Sequence, residues 1–312
     1  MLNSYVARLV KMKWVSSRLS LAVGIVLGAI FLNGAPARGE NDAKWKQGEW
    51  TVFVDKLDLK QEASESAPNV EGALKEGDRF KAVDSVERGN GFSWLALERD
   101  GKRVWVPLEY VCRAAPARGK DEGNLPYGEE LVDHEHGLAL DYQPSDLAPI
   151  DKKYCFSNFN YRLRTEAAQA LVEMIEAAKK DGHEIQVVSS YRSAAQQREN
   201  YLNAIKRDGA KQDTVAKPGH SEHQLGTTVD LVGGDPKQLL KESFGETAEG
   251  KWLAREGWKY GFIISYTKEN SAASGYAAEP WHLRYHGKKQ AAEIHEERME
   301  KEGGRNDERV TK

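Results

Sequence analysis

The chain has 312 residues, 40% hydrophobic, 30% charged and 9% aromatic, with 45 Lys+Arg against 48 Asp+Glu and a formal net charge of −3. That balance leaves no chain-wide basic footprint for nucleic acid. The eight Trp and the apolar fraction exclude wholesale disorder, and a mean hydropathy of −0.66 excludes a multi-span membrane protein. Two Cys exclude a disulfide-dense scaffold or a Cys-rich zinc finger, and the length predicts two folded units.

Residues 1–37 carry Arg8, Lys11, Lys13 and Arg18 and no acid, so +4 of charge sits there and −7 on the remainder. Residues 19–32 are apolar apart from Ser20, Gly24 and Gly28, and Ala35-Pro36-Ala37 follows. A basic start, an apolar run and an A-x-A site together form an export signal. The run falls short of the ~20 residues that span a bilayer. Residues 1–37 are therefore expected to be a cleaved signal peptide, with an uncleaved N-terminal membrane anchor as the alternative. The rest of the chain is expected in the periplasm, the cell envelope or the extracellular space.

Residues 45–113 are rich in short strand signals. Thr51-Val52-Phe53-Val54 is β-branched and aromatic, Leu57-Asp58-Leu59 alternates, and Leu74-Lys75-Glu76-Gly77-Asp78 runs a strand into a turn. Phe80 and Val83 precede a turn at Gly89-Asn90-Gly91. Trp94-Leu95-Ala96-Leu97 and Val104-Trp105-Val106 flank Asp100-Gly101, which predicts a hairpin closed by a type I′ turn. Several short strands in so few residues predict a small barrel. The ordered set Leu57-Asp58-Leu59-Lys60, Leu74-Lys75-Glu76-Gly77-Asp78 and Trp94…Asp100-Gly101…Val104-Trp105-Val106…Tyr110-Val111 resembles a bacterial SH3-like domain. The resemblance implies a domain that binds cell-wall peptide, or one that packs and spaces without a ligand of its own.

Residues 114–128, with Pro116, Gly119, Gly123, Pro126 and Gly128, are expected to be a linker. Beyond it, apolar residues at 163, 167, 171, 174, 175 and 178 predict an amphipathic helix over 163–180, stopped at Asp181-Gly182. A strand over 185–190, a helix over 193–205 and a strand over 227–232 follow. The span 252–261 is expected to be helix then loop, with further strands over 262–266 and 281–285. This order predicts an α+β domain over 129–288. The tail 289–312 is expected to begin as helix and to lose structure over 303–312, where charge and Gly accumulate.

His220-Ser221-Glu222-His223 precedes Asp230, which lies within Thr228-Val229-Asp230-Leu231-Val232. Strand alternation puts Val229 and Leu231 on one face and Asp230 on the other. A carboxylate there is costly unless paired or on a metal. Later, Glu279-Pro280-Trp281-His282 sets Glu and His three apart, and Pro280 argues against a helical zincin arrangement. One His and one Asp from the first segment with one His from the second would make three ligands and an open fourth position, as catalytic zinc requires. Glu279 beside that position could act as general base. Two unrelated polar loops remain the alternative on spacing alone.

Residues 218–232, Pro-Gly-His-Ser-Glu-His-Gln-Leu-Gly-Thr-Thr-Val-Asp-Leu-Val, resemble the S-x-H-x-x-G-x-x-x-D signature of the VanY-type D-alanyl-D-alanine carboxypeptidases, members of the LAS zinc peptidases. Glu279-Pro280-Trp281-His282-Leu283-Arg284-Tyr285 matches the family's E-P-W-H-x-R-Y, and Ser189-Ser190-Tyr191-Arg192-Ser193…Gln197 its S-x-Y-R-S-x-x-x-Q. The likeness covers about 138–288 and departs at Ser265-Tyr266-Thr267 and Thr227-Thr228. It implies a central antiparallel sheet with flanking helices and Zn2+ on His223, Asp230 and His282. It also implies Glu279 as general base and Arg192 on the substrate carboxylate or developing oxyanion. Gln197, Ser221 and Trp281 would then line the groove.

The expected activity is removal of the terminal D-alanine from peptidoglycan stem peptides. Alternatives are an L,D-carboxypeptidase or an endopeptidase on the same stems, or, in another class, a non-catalytic wall-binding protein with a structural zinc site. No nucleic-acid partner is expected, and membrane contact only through an uncleaved N-terminus. Export would expose Cys112 and Cys155 to oxidation, so a disulfide between the two domains is expected, with two buried thiols as the alternative.

Overall fold

A computed structural model describes residues 48–87, 93–115, 124–128, 130–210, 212 and 214–310. The expected signal segment and the Gly89-Asn90-Gly91 turn lie outside them. Among the described residues no helix is long and apolar enough to cross a membrane.

The N-terminal part is all β. Strands β1 (Gly48–Val52), β4 (Arg79–Ala82) and β8 (Val111–Arg113) form a three-stranded sheet in the order β4-β1-β8. Strands β2 (Leu57–Lys60), β3 (Asn69–Leu74), β5 (Asp84–Glu87), β6 (Ser93–Arg99) and β7 (Lys102–Pro107) form a second sheet, ordered β3-β2-β7-β6-β5. All pairings are antiparallel. The β6–β7 hairpin turns at Asp100 (φ 52°) and Gly101 (φ 71°), both left-handed as a type I′ turn demands. Leu57 and Leu59 alternate inward on β2, joining Trp50, Leu95, Val104 and Val106 in one apolar core.

The second part packs helices on a four-stranded antiparallel sheet. Strands β11 (Gln186–Ser189), β12 (Thr228–Val232), β13 (Phe262–Ile264) and β14 (His282–Tyr285) are ordered β11-β12-β14-β13, and β9 (Leu147–Pro149) pairs with β10 (Arg162–Arg164) alongside. Helix α1 (Thr165–Lys180) buries Ala167, Leu171, Met174, Ile175 and Ala178 on one face, the expected stripe. Helix α2 (Ala194–Asp208) starts at a capping box in which Ser193 Oγ accepts the Gln196 N–H and the Gln196 side chain accepts the Ser193 N–H. Helices α3 (Ala248–Glu256) and α4 (Ser271–Ser274) follow. Helix α5 (Lys288–Val310) runs through 303–310, where composition predicts loss of structure. Glu297 and Lys301, one turn apart at 3.9 Å, show the charge pairing that extends such a polar helix.

The expected disulfide is absent. Cys112 and Cys155 are free and buried in separate clusters, Cys112 with Phe53 and Tyr201 and Cys155 in the core around α1. Each thiol faces a carbonyl, Thr51 O at 3.7 Å and Asp151 O at 3.4 Å. Packing, not oxidation, accounts for both.

Candidate active site

Register brings the candidate ligands together. In the antiparallel β12–β14 pair, Asp230 stands directly opposite His282, while Val229 and Leu231 are fully buried in the core. His223 arrives from a short 3-10 turn, Glu222–Leu225, that ends at Gly226. Gly226 has φ 69°, and a Cβ there would sit 2.9 Å from Leu147 and 3.1 Å from Pro144. Only glycine lets the chain turn here and enter β12 against the β9 segment.

His223 Nε2 lies 3.3 Å from Asp230 Oδ2, and His282 Nδ1 lies 3.1 Å from Asp230 Oδ1. The two rings stand nearly perpendicular, with centroids 5.0 Å apart. One donor atom from each residue falls within 4.8 Å of the others, and all three residues are buried. Among the described residues, Asp230 Oδ1 finds no partner with hydrogen-bond geometry. A set of two imidazoles and one carboxylate, converging and buried, fits a divalent cation such as zinc.

The outward nitrogens fix which atoms face inward. His223 Nδ1 donates to the Ser190 carbonyl at 2.9 Å, leaving Nε2 for the centre. His282 Nε2 donates to Glu222 Oε2 at 3.0 Å, leaving Nδ1. Glu222 in turn accepts from Arg284 Nη1 at 2.9 Å, and Arg284 Nη2 donates to the Glu130 carbonyl at 2.6 Å. Such outer bonds set imidazole tautomer and orientation. Burial opposes charging of His282, yet Asp230 and Glu222 pull it up to about 10. Three carboxylates surrounding one imidazole make a site that favours positive charge.

Glu279 Oε2 stands 3.5 Å from His282 Nδ1, held by a turn in which His282 N donates to the Glu279 carbonyl and Glu279 N to the Tyr266 carbonyl. Burial raises its carboxyl above the usual range, opposed chiefly by His282. Arg192 follows the end of β11, and its N–H donates to the His223 carbonyl at 3.1 Å. Its guanidinium is pulled down by burial and held up by Asp230 and Glu279, and its Nε finds no partner among the described residues. Gln197 Nε2 donates to the Ala216 carbonyl at 2.6 Å, with Oε1 unpaired among the described residues. One cleft of about 590 Å3 is lined by Arg192, Gln197, Ser221, Trp281 and Glu279 together with the three candidate ligands.

Sequence reasoning missed Glu222 and Arg284. Period-2 alternation puts Arg284 on the same face of β14 as His282, a signal that was available. Glu222 carried none, since its partner is 60 residues away. His220 stays outside the cleft: its Nδ1 lies 2.6 Å from the Asp133 carbonyl, and burial pushes it down to about 4.

The VanY family, described as D-alanyl-D-alanine carboxypeptidase, matches residues 160–288. A solved LD-carboxypeptidase, LdcB, is 38% identical with TM-score 0.52, covering 58% of this chain and 89% of that one. Residues 160–288 form a VanY-family domain. The family match spans both motif segments and Arg192. YodJ of Bacillus subtilis (strain 168) is 42% identical over 168 residues, 53% of this chain and 62% of its own length. A D-alanyl-D-alanine carboxypeptidase of Enterococcus faecium is 30% identical over 173 residues, 53% of this chain and 52% of its own length. The chain thus spans less than two thirds of the length of these two relatives.

Proposed function

We propose that the protein is a zinc-dependent D,D-carboxypeptidase that removes the terminal D-alanine from peptidoglycan stem peptides. The observation that carries this reading is the meeting, in one cleft, of a three-donor set, a carboxylate 3.5 Å from one donor and a guanidinium. His223, Asp230 and His282 would hold the ion, which supplies a Lewis acid for the scissile carbonyl and makes water a stronger acid. Glu279, its carboxyl raised by burial, accepts the proton of the attacking water and passes it to the departing amine. Arg192 pairs with the substrate's terminal carboxylate or the developing oxyanion, where a planar fork suits two oxygens. Gln197, Ser221 and Trp281 shape the walls around the peptide.

A second reading is an L,D-carboxypeptidase acting on tetrapeptide stems, favoured by the likeness to LdcB. A structural zinc site in a non-catalytic wall-binding protein is disfavoured, because such a site needs no half-buried carboxylate beside it. The all-β unit over 45–113 is read as an SH3-like barrel, and the N-terminal segment as an export signal that delivers the protein to the cell envelope. Incubation with defined tripeptide, tetrapeptide and pentapeptide stems, with and without chelator, tests the reading by mass spectrometry. Loss of one residue from the pentapeptide, abolished by chelator, is expected. Release from the tetrapeptide alone would establish the second reading, and chelator-resistant release would remove zinc from both.

A further inference from the structure

Residues 214–221, leading into the Glu222–Leu225 turn, form one wall of the cleft, since Thr214, Val215, Ala216 and Ser221 all line it. On the cleft side, Gln197 of α2 holds the Ala216 carbonyl. On the other side the wall rests on the N-terminal β unit. Lys217 Nζ donates to the carbonyls of Leu108 and Val111, at 2.6 and 2.9 Å. Leu108 lies in the turn between β7 and β8, and Val111 opens β8. Val215 faces both ways, lining the cleft and packing on the cluster of Phe53, Cys112 and Tyr201. Phe53 of the β unit meets Tyr201 of α2 edge to face at 5.7 Å, and Arg198 of α2 pairs with Glu76 at 2.6 Å.

An ammonium held between two carbonyls of another unit serves no catalytic step, and its isolation from water is costly without those bonds. Glu109, buried in the same turn and receiving the Ser93 N–H at 3.1 Å, supplies the opposing charge. The chain then runs from Lys217 to the metal centre in six residues: His220 N donates back to the Lys217 carbonyl, and Leu138 N to the Gly219 carbonyl. Gly219 has φ 84°, and a Cβ would lie 2.8 Å from the Leu138 carbonyl, so this stretch has one tight path.

Resting on the peptidase reading above, we infer that the N-terminal β unit is a fixed part of the substrate cleft and that Lys217 is a positioning residue that holds the 214–221 wall. The unit is thus a buttress of the site, and peptide affinity depends on its docking even though none of its described residues lines the cleft. A substrate long enough to lie along the wall senses it most.

The full-length, zinc-loaded chain is compared with Lys217→Met, which keeps the apolar stem and removes the donors, and with Lys217→Arg, which keeps a cation. Amide hydrogen exchange is followed on metal-free protein without substrate, and KM and kcat are measured on the pentapeptide stem. Lys217→Met is expected to speed exchange across 214–221 and to raise KM about tenfold, the scale of one charge-assisted hydrogen bond, with kcat and zinc content little changed. Lys217→Arg is expected to recover part of both. Should Lys217→Met fail to fold, Phe53→Leu is expected to move both readouts the same way by a smaller factor. Wild-type exchange at 214–221 in a folded variant would overturn the buttress, whether or not the protein hydrolyses any peptide. Faster exchange with an unchanged KM would overturn the positioning role and leave the peptidase reading standing.

Discussion

Glu222 accepts a hydrogen bond from His282 Nε2 at 3.0 Å, on the ring edge away from Asp230. The same carboxylate is clamped by Arg284 at 2.9 Å, and both side chains are buried. His282 is therefore aimed by a neutralised pair rather than by a free acid. Burial works against its ionisation, yet Arg284 and His282 hold Glu222 well below the usual carboxylate range.

Glu222→Gln keeps an acceptor of the same shape but removes the charge facing Arg284 and His282. Zinc affinity is expected to fall about 10- to 100-fold, the usual cost of losing an outer partner of a ligand histidine. Competition with a fluorescent chelator measures it. An unchanged dissociation constant would show that His282 is oriented by its strand alone.

Glu279→Ala should keep zinc, since His223, Asp230 and His282 remain, but lower kcat by about 10²- to 10⁴-fold, the scale of a lost general base. Metal analysis of the purified variant, set beside D-alanine release, separates the two effects. Wild-type turnover in a zinc-replete variant would remove Glu279 from the mechanism.

Arg192→Lys retains a charge but not a fork. About a 10- to 100-fold loss in kcat/KM is expected, corresponding to one charge-assisted hydrogen bond, and Arg192→Ala should lose at least as much. If blocking the substrate's terminal carboxylate as an amide costs the wild type more than it costs Arg192→Ala, the guanidinium and that carboxylate interact. Equal losses in both proteins would place Arg192 on the oxyanion instead.

Lys217 gives the protein a pH signature. Burial lowers its ammonium from 10.5 to about 8, with Glu109 and Cys112 opposing. Between those values the unfolded chain holds a proton that the folded chain has lost, so this group's contribution to stability rises with pH from about 8 toward 10.5 and is smallest below 8. Denaturant melts at pH 7.5 and 9.5 should show a wild-type gain of about 1–2 kcal/mol over Lys217→Met, given about 1.4 kcal/mol for each unit of pKa difference. Parallel curves for the two proteins would refute it.

The proximity of His223, Asp230 and His282 was legible only through the family motifs: alternation on β12 placed Asp230 on the face away from Val229 and Leu231, but spacing alone left two unrelated polar loops open. Their outer partners were not, because Glu222 reaches His282 and Arg284 only once the register of two distant strands is set. The hairpin at Asp100-Gly101 was legible, as its turn needs two left-handed residues in sequence. The role of Lys217 was not, since a lysine in a loop looks solvated until another unit supplies carbonyls. The two cysteines misled for a similar reason: redox environment says they can pair, but only packing says which neighbours they have. The C-terminal helix runs past its expected end, and the i,i+4 charge pairs Lys289–Glu293 and Glu297–Lys301 support the stretch that leads up to 303.

His223 and the end of β11 clasp each other twice: its ring donates to the Ser190 carbonyl, and its own carbonyl receives the Arg192 N–H. The candidate metal centre and the root of the guanidinium are therefore tied by main chain, like the two jaws of a gauge. On the proposed peptidase reading, with Arg192 on the terminal carboxylate, the gap between them would set how far from its free end a peptide is cut. Retuning the number of residues released would then require reshaping the backbone over 190–192, because exchanging the side chains leaves the jaws where they are.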